Sequence, residues 1–176
     1  NHLYQNLLQR LSEKESDSET EIKILKAYQQ ARFLFSRNLY DDAFSIIEKN
    51  KALALEYEHF SAFLMLAKME ISFYNQLEFS GIDENLLIKL QAKIESVSRQ
   101  QRAIENHTGL YNLISIRQTK EGTIRTDQER EKLNDLAFNE LQAVSGQPKD
   151  SFEARKLHLL FQSAYFIKMA NPKSSL

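Results

Sequence analysis

Three observations predict an all-α fold. Apolar residues recur at steps of three and four along nearly the whole chain, and no stretch of strict apolar and polar alternation is bounded by turn residues. The 176 residues include only four Gly and two Pro, so the turns are few and the helices long. A chain of this length suits one helical domain over 1–176. Because it opens at Asn1 and stops shortly after Pro172, it is expected to be a fragment of a longer protein.

The elements follow in order, eight helices in all. Leu3, Leu7, Leu8 and Leu11 place a stripe on a first helix, and the polar run over 12–18 reads as a loop after it. Ser18 and Glu21 have capping-box spacing, which starts a second helix over 19–37. Asn38 and Leu39 make a tight break. Tyr40, Asp41 and Asp42 then open a third helix over 40–55, with the carboxylates at the positive end of its dipole. A fourth helix over 58–76 is apolar around more than one face, since Phe60, Phe63, Leu64, Leu66, Ala67, Met69, Ile71 and Phe73 cannot fit on a single stripe, so it must be covered on two sides.

Gly81 and Asp83 mark a C-cap, a turn and an N-cap before a fifth helix. Along it Leu87, Leu90, Ile94, Val97, Gln101 and Ile104 form a narrow heptad seam, expected to pack inside the chain and leave the fragment monomeric. A sixth helix over 109–119 leads to a loop over 120–125. Thr126 with Glu129 and Asp150 with Glu153 repeat the capping-box spacing and start a seventh and an eighth helix. The stretch 28–38 also aligns without gaps on 161–171, sharing Gln, Ala, Phe and Asn in place, as an internal repeat would.

Ala31, then Asn38, Leu39 and Tyr40, then Ala43 and Ile47 carry a resemblance to the tetratricopeptide repeat, centred on 21–55. Ala27, Leu34 and Leu55 depart from that pattern, standing where the family has an aromatic, often a tyrosine, and a proline. The resemblance implies a right-handed stack of antiparallel helix pairs that binds a protein or peptide segment on a concave wall. That wall is built from the first helices of successive pairs. Around Ala31 the implied groove residues are Tyr28, Arg32 and Phe35; around Ala67 they are Leu64, Lys68 and Ile71; around Ala164 they are Phe161, Tyr165 and Lys168. Aromatic rings mixed with cations suit a segment carrying apolar anchors and carboxylates.

Composition and motifs narrow the chemistry. With 23 Lys+Arg against 24 Asp+Glu, bulk charge does not draw the chain to nucleic acid, and the basic residues of the fifth helix interleave with Glu95 and Glu105. The absence of cysteine removes disulfides and thiolate metal sites, and a reducing cytoplasm is the favoured compartment. No stretch is apolar enough to cross a bilayer, and no leader segment is visible. His2, His59, His107 and His158 are far apart in sequence, so no metal site and no cofactor is expected. The four glycines are isolated and cradle no phosphate, and Asp41 with Asp42 reads as a helix start. The sequence therefore predicts a non-catalytic binding module. A regulatory or sensory domain that binds a small ligand or self-associates through the seam is the competing class.

Overall fold

The structure, a computed structural model, describes the backbone of residues 2–121, 126–145 and 151–170 and the side chains of 19–117, 119, 126–142 and 151–167. Six α-helices form among the described residues: α1 (His2–Ser36), α2 (Tyr40–Glu56), α3 (Phe60–Gln76), α4 (Glu84–Glu121), α5 (Asp127–Ser145) and α6 (Phe152–Ala170). The all-α expectation holds, and the count of eight does not.

Both corrections have the same cause: the flanking chain favours continuing the helix. The polar run over 12–18 continues α1, because its Glu and Lys residues are good helix formers and neither Gly nor Pro interrupts it. Ser18 consequently lies inside a helix and not at the start of one. Gly109 is likewise helical within α4, where a single glycine costs about 1 kcal/mol and long flanking runs carry the helix through.

The turns explain why the remaining breaks fall where they do. Asn38 and Glu58 adopt left-handed backbone, with φ of 61° and 53°, and each sits two places past its helix end. Leu39 N–H bonds Leu34 C=O at 3.0 Å and Asn38 N–H bonds Phe35 C=O at 3.0 Å. The pairs His59 to Ala54 at 2.8 Å and Glu58 to Leu55 at 3.3 Å repeat that pattern after α2. Both are Schellman motifs, which satisfy the last carbonyls and reverse the chain in three residues. Phe79 to Tyr74 and Glu78 to Asn75 close α3 in the same way, and Gly81 follows with φ of 79°.

Caps start the later helices. Thr126 and Glu129 form the expected reciprocal box, each backbone N–H donating to the other's side-chain oxygen at 3.2 Å. For α6 the expected cap, Asp150, lies outside the described residues. There Ser151 Oγ accepts from Ala154 N–H at 3.2 Å.

The chain divides into two compact units, Asn1–Ser98 and Arg99–Leu176, and the boundary falls within α4. In the first unit α1 and α2 form one helical hairpin, α2 and α3 the next, and α1 also touches α3. Small residues permit the close approach: Ala31, Ala43, Ala54 and Ala67 are fully buried, as are Ile24, Ile47 and Leu66. The apolar faces of α3 are covered from two sides, by α2 and by α1. Phe35 of α1 stacks on Phe73 of α3 with centroids 3.8 Å apart, and Phe44 of α2 stacks on Tyr74 at 4.6 Å. Seam residues Leu90 and Val97 are buried within the chain and Ile94 is half-buried.

The second unit centres on Ile114, Leu133, Leu136, Phe161 and Ala164, from α4, α5 and α6. Side-chain bonds tie these helices as well: Arg117 donates to the Lys132 carbonyl at 2.8 Å, and Tyr165 O–H to Asn134 Oδ1 at 2.9 Å. No helix among the described residues is long and apolar enough to cross a membrane.

Candidate functional site

The implied groove residues divide between the units. In the first, Arg32 and Lys68 are exposed, while Tyr28, Phe35, Leu64 and Ile71 are half-buried. The Arg32 guanidinium lies over the Tyr28 ring, 5.9 Å from its centroid, and no ion pair holds it among the described residues. Phe35 does not flank it. That ring is turned into the junction of the three helices, stacked on Phe73 and tilted against Tyr40 at 4.9 Å.

In the second unit Phe161 is 2% exposed, so it belongs to the core and offers no partner contact. Its position one turn before the small Ala164 explains this, since Ala164 is itself buried against the same cluster. Tyr165 is half-buried and bonded to Asn134, and the side chain of Lys168 lies outside the described residues.

A cleft of about 760 Å³ runs between α1 and α2, with Lys23, Lys26 and Lys49 on its rim and Gln30 and Asn50 among its lining residues. It lies on the opposite side of α1 from Arg32, since residues 23, 26 and 30 share a face that residues 28, 32 and 35 do not. Deeper in this unit, Lys51 of α2 is ion-paired with Glu70 of α3, and both are buried; Lys51 also reaches Glu48 at 2.7 Å. Burial raises the Glu70 pKa above its ordinary 4.5 against the lowering pull of Lys51. The Tyr74 hydroxyl is also pushed up, by burial first and then by Glu70 and Glu48.

A second ionisable group lies within the other unit. His107 of α4, Glu140 of α5 and His158 of α6 converge, one from each helix, with ligand-type atoms all within 4.8 Å of one another. His107 is 4% and Glu140 2% exposed, and the His158 side chain is 24% exposed. His158 Nδ1 is hydrogen-bonded to Glu140 Oε1, and His107 Nδ1 stands 3.6 Å from that same oxygen, too far for a hydrogen bond. His107 Nδ1 is therefore a buried polar atom without a partner. Burial lowers the His107 pKa, His158 adds to the lowering, and Glu140 opposes it.

Sequence reasoning missed this convergence because it looked for histidines within one helix. A usable signal was present. His107 continues the stripe of Ala103 and Ile114, Glu140 that of Leu133 and Leu136, and both residues are polar at positions where the stripe demands apolar ones.

The class so far defined is an all-α chain of helical hairpins in two units. Set against protein-family models, curated proteins and solved structures, the chain matches none, so function must be read from its own residues.

Proposed function

We propose that the first unit is a tetratricopeptide-like helical stack that binds an acidic protein or peptide segment on the face shared by α1 and α3. Three features support the stack. Successive hairpins use the same Schellman turn, α1 touches α3 as well as α2, and Ala31, Ala43 and Ala67 are fully buried. The observation that carries the binding reading is Arg32: exposed, held over Tyr28, and free of any intramolecular carboxylate among the described residues. Such a guanidinium is pre-positioned to accept a carboxylate bidentately, and exposed Lys68 on α3 adds a second cation.

The test is selection of peptides from a displayed library, followed by anisotropy titration of the winners. Peptides pairing an apolar anchor with Asp or Glu should be enriched. Arg32→Ala should weaken them by about 1.5–3 kcal/mol, the range for a charge-assisted hydrogen bond, while changing stability by less than about 0.5 kcal/mol. Enrichment of neutral or basic peptides, or binding indifferent to Arg32, would count against this face.

The cleft between α1 and α2 favours a second reading, a small-ligand sensory domain. Its volume of about 760 Å³ lies in the range of ligand sites, and the three lysines on its rim suit an anion. Self-association through the α4 seam gains less support, since Leu90 and Val97 are already buried within the chain.

A further inference from the structure

We propose that His107, Glu140 and His158 form a Zn²⁺ site, a two-imidazole and one-carboxylate set that joins α4, α5 and α6 of the second unit through one ion. This site is independent of the peptide-binding face, which lies in the first unit.

The donor set fits the ion. Zn²⁺ takes His nitrogen and carboxylate oxygen at about 2.0–2.2 Å in tetrahedral geometry, which separates neighbouring donor atoms by roughly 3.3 Å. His107 Nδ1 and Glu140 Oε1 already stand 3.6 Å apart, and the other donor atoms lie within 4.8 Å. An ion seated among them needs the Glu140–His158 pair to open slightly and the more widely spaced donors to close toward that separation. Mixed imidazole and carboxylate ligation disfavours Ca²⁺ and Mg²⁺, which demand oxygen.

Burial supplies the second observation. His107 Nδ1 has no partner and no exposure to recruit one, which is costly unless something else occupies its lone pair. Glu140 is 2% exposed, and no Lys or Arg neutralises it among the described residues. A cation between these groups satisfies the orphaned nitrogen and the buried carboxylate together. His158 lies at the solvent edge, so a water can complete the fourth position.

The experiment uses the full chain, stripped with a chelator and titrated with Zn²⁺ by calorimetry and with Co²⁺ by visible absorption. One equivalent should bind with the intense d–d bands of a four-coordinate ion, and Zn²⁺ should raise Tm. His158→Gln, at a partly exposed position, should keep the fold by circular dichroism, weaken binding about 100-fold or more, and abolish the Tm gain. His107→Gln should do the same. His59→Gln, in the first unit, should leave affinity unchanged. If His107→Gln fails to fold, the Co²⁺ spectrum of the unaltered chain and the His158→Gln titration decide. The proposal is overturned if the stripped chain binds no Zn²⁺ at micromolar concentration, if Co²⁺ gives only weak six-coordinate bands, or if His158→Gln binds as tightly as the unaltered chain.

Discussion

Two glycines in similar surroundings should respond oppositely to the same substitution. Gly109 lies in mid-helix, and an added Cβ would meet nothing within 4 Å. Gly109→Ala should therefore raise unfolding free energy by about 0.5–1 kcal/mol, through helix propensity and a less flexible unfolded chain. Gly81 has the same open space but a φ of 79°, where an L side chain is strained. Gly81→Ala should lower stability by about 1 kcal/mol, and urea denaturation of the pair checks both signs. These positions also show what single residues disclose. Asp83 was legible as the residue before α4, and Thr126 with Glu129 as a capping box, but Gly81 is not the expected C-cap, because Glu78 and Phe79 already close α3 and Gly81 falls in the turn after them. Gly109 and Ser18 misled, since a breaker or cap signal acts only where the flanking chain does not favour continuing the helix.

At the scale of helices, α2 and α3 are joined by a buried ion pair whose worth lies in its partners staying together. Removing one leaves an unpaired buried charge, so Glu70→Ala should cost about 3–5 kcal/mol. Lys51→Met with Glu70→Leu should be near neutral or stabilising, because desolvation of both ions is avoided. The pH dependence has a definite sign. With its pKa raised above 4.5, Glu70 holds its proton more tightly in the folded than in the unfolded chain. Its contribution is fully present below about 4.5 and is lost as pH rises through the raised value. The stability difference between the unaltered chain and Glu70→Gln should therefore decline over that interval, in urea titrations at successive pH; a difference that grows with pH would reverse this assignment. None of this pairing was visible in the sequence, where Lys51 and Glu70 look like two more charges on amphipathic helices. Period gives the face of a helix but not which polar residue on its margin a neighbour will cover.

Across the whole molecule, helical class and most helix ends were legible, because apolar period and turn chemistry are local. What converges from different helices was not. His107, Glu140 and His158 are unremarkable along the chain and meet only when three stripes are packed, and Phe161 is withdrawn from its expected groove by the same packing. Separate cores follow too. Phe73, 5% exposed, belongs to the aromatic junction of α1, α2 and α3, whereas Phe161 fills the cluster of Ile114, Leu133 and Leu136. Truncating either ring should cost about 3–5 kcal/mol, but to different parts of the chain. Under native conditions, Phe161→Ala should speed amide exchange in α5 and α6 on the order of 100-fold while α2 and α3 keep their protection, and Phe73→Ala should do the reverse. Each core contributes its own local stability, so the pattern of exchange reports which core was cut. Uniform acceleration along the whole chain from either variant would mean that the two cores open as one, and the division at Ser98 would then have no thermodynamic meaning.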